Sequence, residues 1–453
     1  MGMSVQNDVK QTQKKLVFGL GQTGLSCVRY LVAQGHKVCV FDTRSAPPGL
    51  DELRSDYPNV EIKLERLDKH SFDDVEQIIL SPGISLKSTE LTIARERKIE
   101  IVGDIELFVK HAKAPIIAIT GSNGKTTTTT LVGEILKLAG KDVGVGGNIG
   151  TPVLDLLDLP VPDYYLLELS SFQLETTKSL RAEIAVVLNI SPDHMDRYDS
   201  LDDYAISKLI IFNEAKNKII NYDDDWLRDH IAVIGEYVCF SKRMASNIDY
   251  GLLVDDRRVW IVAGKEKIIE VSKLRLQGQH QVMNAVAAVA IADLCDVDPS
   301  VTRKALEAFN GLAHRTQFVA VIDGVTYIND SKGTNVGATV AAIEGLDSDI
   351  ILLAGGDSKG ADFSELATAV KGKVRIAILF GRDAGLIERS VGDYTKVIRA
   401  MSLNAAVSQA KKLARKNETV LLSPACASFD MFKNYQQRGD VFMELVRKGE
   451  EDA

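Results

Sequence analysis

Short apolar runs alternate with longer helical patterns in the first hundred residues. Residues 16–18 are apolar, a helical stretch extends to Ala33, and residues 37–42 form a second apolar run that ends in Asp42. A strand, a glycine-rich turn, a helix and a second strand in this order predict a βαβ unit with a parallel sheet. A later strand is predicted at residues 77–80, and the pattern turns helical near residue 103.

The same alternation continues in two further segments. Strands are predicted at residues 164–167 and 184–189, and an alanine-rich helix at residues 284–294. Beyond a boundary near residues 311–315, strands are predicted at residues 327–328, 350–354, 376–380 and 420–422, with helical stretches between them. Such alternation is typical of doubly wound α/β domains. We therefore predict an α/β protein of three domains, at residues 1–103, 104–312 and 313–453.

Composition narrows the class of protein. The 453 residues are 45% hydrophobic and 26% charged, as in a globular protein. The net charge of −8 argues against nucleic-acid binding through bulk charge. The five cysteines form no C-x-x-C pair, so we expect them to be reduced and mostly buried. The first 15 residues are polar and no apolar run approaches 18 residues, so we expect a cytoplasmic protein without a membrane span.

One loop carries the strongest chemical signal. The apolar residues 117–119 run into the sequence Thr120-Gly121-Ser122-Asn123-Gly124-Lys125-Thr126-Thr127. Backbone N–H groups of such a turn cradle anions, and the N-terminus of the following helix adds positive partial charge. Lys125 can reach terminal phosphates, and Thr126 or Thr127 can offer a hydroxyl to Mg²⁺. The first glycine, Gly121, stands closer to Gly124 than the first glycine of the usual phosphate loop does. The alternative to a phosphate-binding loop is a turn with a purely structural role. We predict a nucleoside triphosphate site.

A second glycine pattern lies near the N-terminus. Gly19, Gly21 and Gly24 follow the first strand, and Asp42 ends the next one. This pattern is compatible with a structural turn, a nicotinamide cofactor site, or a site for another nucleotide diphosphate. Two nucleotide sites in one chain favour the last, with one nucleotide as energy source and the other attached to a substrate.

Two polar residues follow strands of the central segment. Glu168 is a candidate Mg²⁺ ligand, with an ordinary strand-end carboxylate as the alternative. His194 is either a metal ligand or a residue that caps its loop. Lys208 lies in a helical stretch and carries no signal of its own.

Taken together, these motifs resemble a known family. The phosphate loop, Leu167-Glu168-Leu169-Ser170-Ser171, Asp193-His194-Met195-Asp196 and His314-Arg315 resemble the Mur ligases, ATP-dependent amino-acid ligases that build the peptidoglycan stem peptide. The glycine pattern at residues 19–24, residues 42–44, residues 329–332 and residues 422–430 resemble the branch that adds D-glutamate to UDP-N-acetylmuramoyl-L-alanine. The resemblance extends over about residues 16–445. It implies a Rossmann-like N-terminal domain, a central P-loop ATPase-like domain and a Rossmann-like C-terminal domain.

The resemblance also implies a role for individual residues. The uridine diphosphate would be bound by Gln22, Thr23, Asp42, Thr43 and Arg44, with Asn148 near the sugar. ATP would be bound by Gly121, Ser122, Asn123, Gly124, Lys125, Thr126, Thr127, Asn284, Arg315 and Asp330. One Mg²⁺ would be held by Thr126 and Glu168, and a second by His194 and a carbamylated Lys208. D-glutamate would face Lys332, Thr334, Lys359, Ser428 and Tyr435. The chain departs from its relatives at Gln281, where they often have Asn, and at Tyr435, where the pattern has Phe.

The implied reaction passes through an acyl phosphate, with Lys125, His194, Lys208 and Arg315 as catalytic residues. The implied partners are the UDP-sugar and D-glutamate, without nucleic acid or membrane, and we expect a monomer. Three other functions stay open: a nicotinamide-dependent oxidoreductase, a non-catalytic nucleotide switch, and another Mur-type or folylpolyglutamate-type ligase.

Overall fold

The computed structural model describes residues 14–448 except residues 246, 277 and 347. The polar N-terminal stretch therefore lies almost wholly outside the described residues. Within them the chain forms three sheets in sequence, at residues 14–102, 116–270 and 317–422. The predicted domain limits after residues 103 and 312 fall between these sheets, and they stay a prediction.

The first sheet has five parallel strands in the order β3-β2-β1-β4-β5. The strands are β1 (Lys14–Phe18), β2 (Lys37–Asp42), β3 (Glu61–Leu64), β4 (Val75–Leu80) and β5 (Glu100–Val102). The α-helices are Gln22–Ala33, Leu50–Asp56, Thr92–Glu96 and Asp104–Val109. The predicted βαβ unit is confirmed, and residues 16–18 of β1 and 38–41 of β2 are apolar and buried because both faces of the sheet are covered there.

The second sheet has nine strands in the order β14-β13-β12-β11-β10-β9-β6-β8-β7. The strands are β6 (Ile116–Thr120), β7 (Val143–Gly147), β8 (Tyr164–Glu168), β9 (Ile184–Val187), β10 (Asn217–Asn221), β11 (Val238–Ser241), β12 (Tyr250–Asp255), β13 (Arg258–Ala263) and β14 (Glu266–Glu270). The α-helices are Lys125–Leu138, Ser171–Leu174, Leu201–Leu209, Asp225–Asp229, Ile231–Ile234, Gln279–Leu294 and Pro299–Ala308. Strands β12 to β14 are antiparallel and extend a sheet that is otherwise parallel.

The alanine-rich helix Gln279–Leu294 is buried on almost every side. It packs against helix Lys125–Leu138, against β12 and β13, and against a helix of the third sheet, Val336–Glu344. Small side chains let all of these neighbours approach closely, so the helix lacks the usual polar face. It begins five residues before the predicted start.

The third sheet has six strands in the order β15-β16-β20-β17-β18-β19. The strands are β15 (Gln317–Ile322), β16 (Val325–Asn329), β17 (Ile350–Ala354), β18 (Val374–Leu379), β19 (Lys396–Arg399) and β20 (Thr419–Leu422). The α-helices are Val336–Glu344, Ser364–Val370, Ala384–Val391, Leu403–Leu413 and Tyr435–Arg447. Only β15 is antiparallel, so the predicted doubly wound arrangement is confirmed here as well. Among the described residues, no helix has the length and apolar character needed to cross a membrane.

Candidate active site

A cavity of about 600 Å³ opens at the carboxyl ends of β1, β2 and β4. We call it the Asp42 cavity. All six residues predicted to bind the UDP-sugar line it: Gln22, Thr23, Asp42, Thr43, Arg44 and Asn148. Asn148 comes from the second sheet segment, so the cavity lies between two segments of the chain.

Asp42 is fixed by three groups around its carboxylate. The Leu20 N–H donates to Oδ2 at 2.8 Å, and the Arg44 guanidinium donates to both oxygens at 2.7 and 2.8 Å. Although burial opposes ionisation, these bonds hold the pKa of Asp42 below its ordinary value. The Arg44 side chain remains half-exposed at the mouth of the cavity, where it can meet a diphosphate.

Gly24 illustrates why the turn after β1 requires glycine. A Cβ at this position would collide with the carbonyl oxygen of Gly19. The helix Gln22–Ala33 can therefore begin directly at the cavity, with its first N–H groups facing the space where an anion would bind.

The phosphate loop has the strand–turn–helix geometry that its sequence predicts. It leaves β6 and enters helix Lys125–Leu138 through Gly124, whose φ is +85°. The loop is tied to the chain after β9, because Asn189 both accepts from Asn123 N–H at 2.8 Å and donates to its carbonyl at 3.0 Å. The backbone cradle is thus fixed in place by a side chain of the neighbouring strand end.

Lys125 bends back over this loop. Its ammonium donates to the carbonyl oxygens of Gly121 and Ser122 at 2.6 and 2.9 Å. Burial lowers the pKa of Lys125, with the positive charge of Arg315 acting in the same direction. The ammonium lies inside the cradle, where phosphate oxygens can replace the two carbonyls.

A second cavity, of about 580 Å³, surrounds the phosphate loop, and we call it the phosphate cavity. It brings together residues from the second and third sheet segments that are far apart in the sequence. Of the predicted site residues it is lined by Ser122, Asn123, Gly124, Lys125, Thr126, Asn148, Glu168, His194, Lys208, Arg315, Lys332, Thr334, Lys359 and Tyr435. Asn148 lines the Asp42 cavity too, and so do Ile149 and Gly150, so the two cavities are adjacent.

Glu168 ends β8 and is buried with one oxygen free. Asn148 donates to Oε1 at 2.7 Å, whereas the buried Oε2 has no hydrogen-bond partner within the described part of the chain. The orphaned carboxylate oxygen and the Thr126 hydroxyl belong to side chains that line the same cavity, and hard oxygen donors of this kind suit Mg²⁺. No group of three or more His, Cys, Asp or Glu side chains with metal-binding geometry occurs among the described residues. The predicted ligand sets, which include threonine and lysine, do not depend on such a group.

Lys208 lies in helix Leu201–Leu209 and is almost completely buried. Its amine donates to the Gly121 carbonyl at 3.1 Å and lies 4.6 Å from the centre of the Tyr204 ring. Burial, assisted by the charge of Lys125, lowers the pKa of Lys208 well below its ordinary value. Burial at this position thus shifts the balance toward the neutral amine.

His194 has a left-handed backbone, with φ of +57°, and its ring packs edge-on against Phe172 at 4.8 Å. Burial lowers the pKa of His194 despite the neighbouring Asp193, whose carboxylate lies 3.7 Å away. A neutral imidazole is the form that binds metal ions.

A third cavity, of about 320 Å³, lies on the other side of the loop. Thr127, Asn284, Arg315 and Asp330 line it, together with apolar side chains such as Leu188, Phe240 and Met283. Asp330 accepts from Thr316 N–H at 3.0 Å and from the Ser423 hydroxyl at 2.7 Å, while burial raises its pKa to about 6. A slot that combines apolar side chains with polar groups suits a nucleoside base.

Four of the five residues predicted to face D-glutamate reach the phosphate cavity, and the fifth does not. The ammonium of Lys332 lies 4.4 Å from the centre of the Tyr435 ring, and that of Lys359 lies 3.8 Å from Asp193. Burial, followed by the charges of Arg315 and Lys125, lowers the pKa of Lys332 to about 8. Ser428 is buried and is not among the residues that line the phosphate cavity.

Sequence reasoning missed some of the residues at these cavities. Asn335 carries no motif, yet its amide lies against both Asn123 and Asp193. Residues 81–84 line the Asp42 cavity, although their Ser-Pro-Gly sequence indicates only a loop. Helix Asp225–Asp229 and β11 bring Asp224 and Phe240 to the third cavity, and no local pattern indicates this.

Models of known domain families match most of the chain. Residues 13–103 match the Mur ligase MurD-like N-terminal domain, residues 119–292 the Mur ligase middle domain, and residues 314–426 the Mur ligase glutamate ligase domain. The phosphate loop, which borders both the phosphate cavity and the third cavity, agrees with these domain assignments. The chain therefore belongs to the Mur ligase family.

Comparison with individual members of that family shows which of them the sequence resembles. It is 48% identical over 437 residues to the UDP-N-acetylmuramoylalanine–D-glutamate ligase of Marinobacter nauticus, covering 96% of this chain and 98% of that one. It is 47% identical over 438 residues to the enzyme of the same name from Pseudomonas aeruginosa, with coverage of 96% and 98%. The resemblance to the D-glutamate branch predicted from the motifs is confirmed.

Solved structures of more distant proteins have the same fold. The pseudomurein peptide ligase type C of Methanothermus fervidus superposes with a TM-score of 0.60 at 21% identity, covering 96% of this chain and all of that one. The UDP-N-acetylmuramate–alanine ligase of Thermotoga maritima superposes with a TM-score of 0.56 at 18% identity, with coverage of 96% and 99%. At these identities the likeness concerns the fold alone.

Proposed function

We propose that this chain joins D-glutamate to UDP-N-acetylmuramoyl-L-alanine at the expense of ATP, in the synthesis of peptidoglycan precursors. The observation that carries the proposal is the adjacency of the cavities. The Asp42 cavity fits a nucleotide diphosphate, the phosphate loop fits ATP, and both border the space in which Lys332 and Lys359 lie. The alternatives of an oxidoreductase or a nucleotide switch leave at least one of these cavities without a role.

In the proposed first step, an oxygen of the L-alanine carboxylate attacks the γ-phosphorus of ATP. The bond between this phosphorus and the β,γ-bridging oxygen breaks, and ADP leaves. A carboxylate and a triphosphate repel each other, so the ammonium of Lys125 and the guanidinium of Arg315 lower the barrier by offsetting their charge. One such contact is worth roughly 3–4 kcal/mol in the transition state.

In the second step, the amine of D-glutamate attacks the acyl carbon, phosphate leaves, and the nitrogen loses a proton. Lys332 and Lys359 bring two basic side chains to the phosphate cavity, which Tyr435 also lines, and D-glutamate carries two carboxylates. Charge pairing with both carboxylates would orient the amine toward the acyl phosphate. Ser428 would contribute to this pocket only if its surroundings rearrange.

The residues also fit Mg²⁺, which neutralises phosphate charge when it is bound. Thr126 and the free oxygen of Glu168 would hold one ion, and His194 with a modified Lys208 a second. An ammonium repels a cation, whereas the neutral amine of Lys208 can attack the carbon of CO₂ and lose a proton to give an anionic carbamate. We propose this carbamate at Lys208.

We propose that the enzyme works as a monomer. Its dependence on ATP makes the cytoplasm the proposed location. The proposed partners exclude nucleic acid and membrane, in keeping with the net charge of −8.

The direct test is phosphate release from ATP in the presence of UDP-N-acetylmuramoyl-L-alanine, Mg²⁺ and a panel of amino acids. We expect release with D-glutamate and little with L-alanine, L-lysine, meso-diaminopimelate or L-glutamate. Equal release without any amino acid would instead support a simple nucleotide hydrolase. Preference for another amino acid would move the enzyme to a different Mur-type reaction.

A further inference from the structure

One buried arginine connects the walls of the two substrate cavities. Arg197 lies three residues after His194, and its side chain is 11% exposed. It lines neither the Asp42 cavity nor the phosphate cavity, so it does not meet a substrate there. Its partners nevertheless come from the walls of both.

On one side, the guanidinium of Arg197 binds the loop at residues 81–84. Nη1 donates to the carbonyl of Pro82 at 2.9 Å, and Nη2 donates to that of Ile84 at 3.1 Å. These residues follow β4 and line the Asp42 cavity. Two backbone carbonyls held by one planar group define the position of the loop more tightly than a single bond would.

On the other side, the same guanidinium packs on Phe172 and pairs with Glu175. Its central carbon lies 3.8 Å from the centre of the Phe172 ring, and Nη2 lies 3.1 Å from a Glu175 oxygen that belongs to a side chain only 16% exposed. The Phe172 ring in turn contacts the ring of His194 edge-on. Phe172 and His194 both line the phosphate cavity.

Other contacts already hold the first two sheet segments together. Arg29 pairs with Asp155 at 2.7 Å, and the Ser26 hydroxyl donates to the same carboxylate at 2.7 Å. Arg197 is therefore not needed to join the segments. Its distinctive feature is that it connects the loop beside one substrate to the histidine beside the other.

We propose that Arg197 is a positioning residue for the ligation, which rests on the proposed function. It fixes the loop at residues 81–84, in the wall of the Asp42 cavity, relative to His194. The carboxylate at the end of the UDP-sugar then stays aligned with the γ-phosphate. Alignment of this kind contributes strongly to rate, because small displacements of a bound nucleophile are costly.

The kinetic test compares Arg197→Ala and Arg197→Lys with the wild type. For Arg197→Ala we expect the KM for UDP-N-acetylmuramoyl-L-alanine to rise about fivefold or more and kcat to fall about tenfold, while the KM for ATP changes less than twofold. Lysine keeps the charge but cannot span two carbonyls and stack, so intermediate values are expected. A uniform change in all KM values, or no change beyond twofold, would overturn the proposal.

A matched control is Lys87→Ala. Lys87 pairs with Asp199 at 2.6 Å and so links the same two segments, but both side chains are largely exposed, at 64% and 80%. We expect kcat and all KM values of this variant to stay within twofold of the wild type, since exposed pairs contribute little.

Amide hydrogen exchange gives a readout that does not need turnover. With UDP alone as the probe, we expect slower exchange at residues 193–199 of the wild type, and loss of this slowing in Arg197→Ala and most of it in Arg197→Lys. Equal slowing in the variants would contradict the coupling. If the wild type shows the slowing but forms no product with D-glutamate, the proposed function fails while the coupling stands.

Discussion

At the scale of single residues, Lys208 has the most unusual environment in the site. It is buried, it binds a backbone carbonyl, and it forms no ion pair with any carboxylate of the described residues. Burial of an unpaired ammonium is unfavourable, so it lowers the pKa of Lys208 and makes the neutral amine more accessible. This is the state in which an amine reacts with CO₂.

The carbamate proposal leads to a rescue experiment. Lys208→Ala removes the ligand and leaves a gap beside the phosphate loop, so we expect activity to fall at least about 100-fold, the scale of losing one stabilising contact. Bicarbonate or short carboxylic acids such as formate and acetate would return part of it, since they replace the missing carboxylate. Lys216→Ala is the control, because Lys216 is an exposed partner of Glu183. Undiminished activity of Lys208→Ala would contradict the proposal.

Lys125 permits a second test at the same scale. Lys125→Ala removes the ammonium from the cradle formed by Gly121 and Ser122, and we expect kcat to fall by roughly 100- to 1000-fold. The melting temperature should change little, because Lys125 binds only carbonyls of its own loop. Lys137→Ala, at an exposed position of the same helix, provides the comparison. Near-normal turnover of Lys125→Ala would remove the phosphate-loop assignment.

At the scale of elements, the start of helix Gln279–Leu294 carries a histidine whose contribution to stability depends on pH. His280 is buried there, its Nε2 lies 3.2 Å from the Thr316 hydroxyl, and burial lowers its pKa to about 4. In the unfolded chain the same imidazole has a pKa near 6.5. The unfolded state therefore binds more protons below pH 6.5, and stability is lost as the pH falls from there toward 4.

The prediction compares the wild type with His280→Gln, which keeps a polar group near Thr316 but does not titrate. Between pH 7 and pH 5 we expect the wild type to lose up to about 2 kcal/mol more stability, which corresponds to a difference of roughly 4–8 °C in melting temperature. Asp104 and Asp330, whose pKa values burial raises to about 6, act in the opposite direction but are present in both proteins. Parallel melting curves at all pH values would show that His280 does not titrate in this range.

The elements also show what the sequence could and could not predict. Strands β1, β6 and β17 are buried on both faces and read as continuous apolar runs, so their positions were predictable. Strands β12 to β14 were missed, and the charged residues Asp255, Arg258 and Glu266 lie at the ends of these strands rather than within them. A strand of this kind is defined by its partner across the hairpin rather than by its own sequence.

Among the residues of the candidate site, too, some could be predicted from the sequence and others could not. Gly124 and Lys125 were predictable because the constraint on each is local: a left-handed turn, and a cation at the start of a helix. Asn335 was not, because its role comes from residues more than 140 positions away that approach it only in the fold. For Lys208 the resemblance named the residue, and the structure added the physical reason, its burial.

At the scale of the whole molecule, Asn335 connects the third sheet segment to the active site. Its amide nitrogen donates to Asn123 of the phosphate loop at 3.3 Å and to Asp193 at 3.1 Å. Its amide oxygen accepts from Ala338 N–H at 2.8 Å and so caps helix Val336–Glu344. One side chain thus orders its own helix and holds this segment against the phosphate loop and the loop that contains Asp193.

Asn335→Asp separates these two roles. A carboxylate still caps the helix, but it can no longer donate and it faces Asp193, so we expect the third segment to close less readily. The KM for D-glutamate should rise about tenfold, because Lys332 and Lys359 reach the phosphate cavity from this segment. Ser402→Ala removes a helix cap remote from the cavities, and we expect it to cost about 1 kcal/mol of stability without changing any KM. If Asn335→Asp left the KM for D-glutamate unchanged, Asn335 would be a helix cap and nothing more.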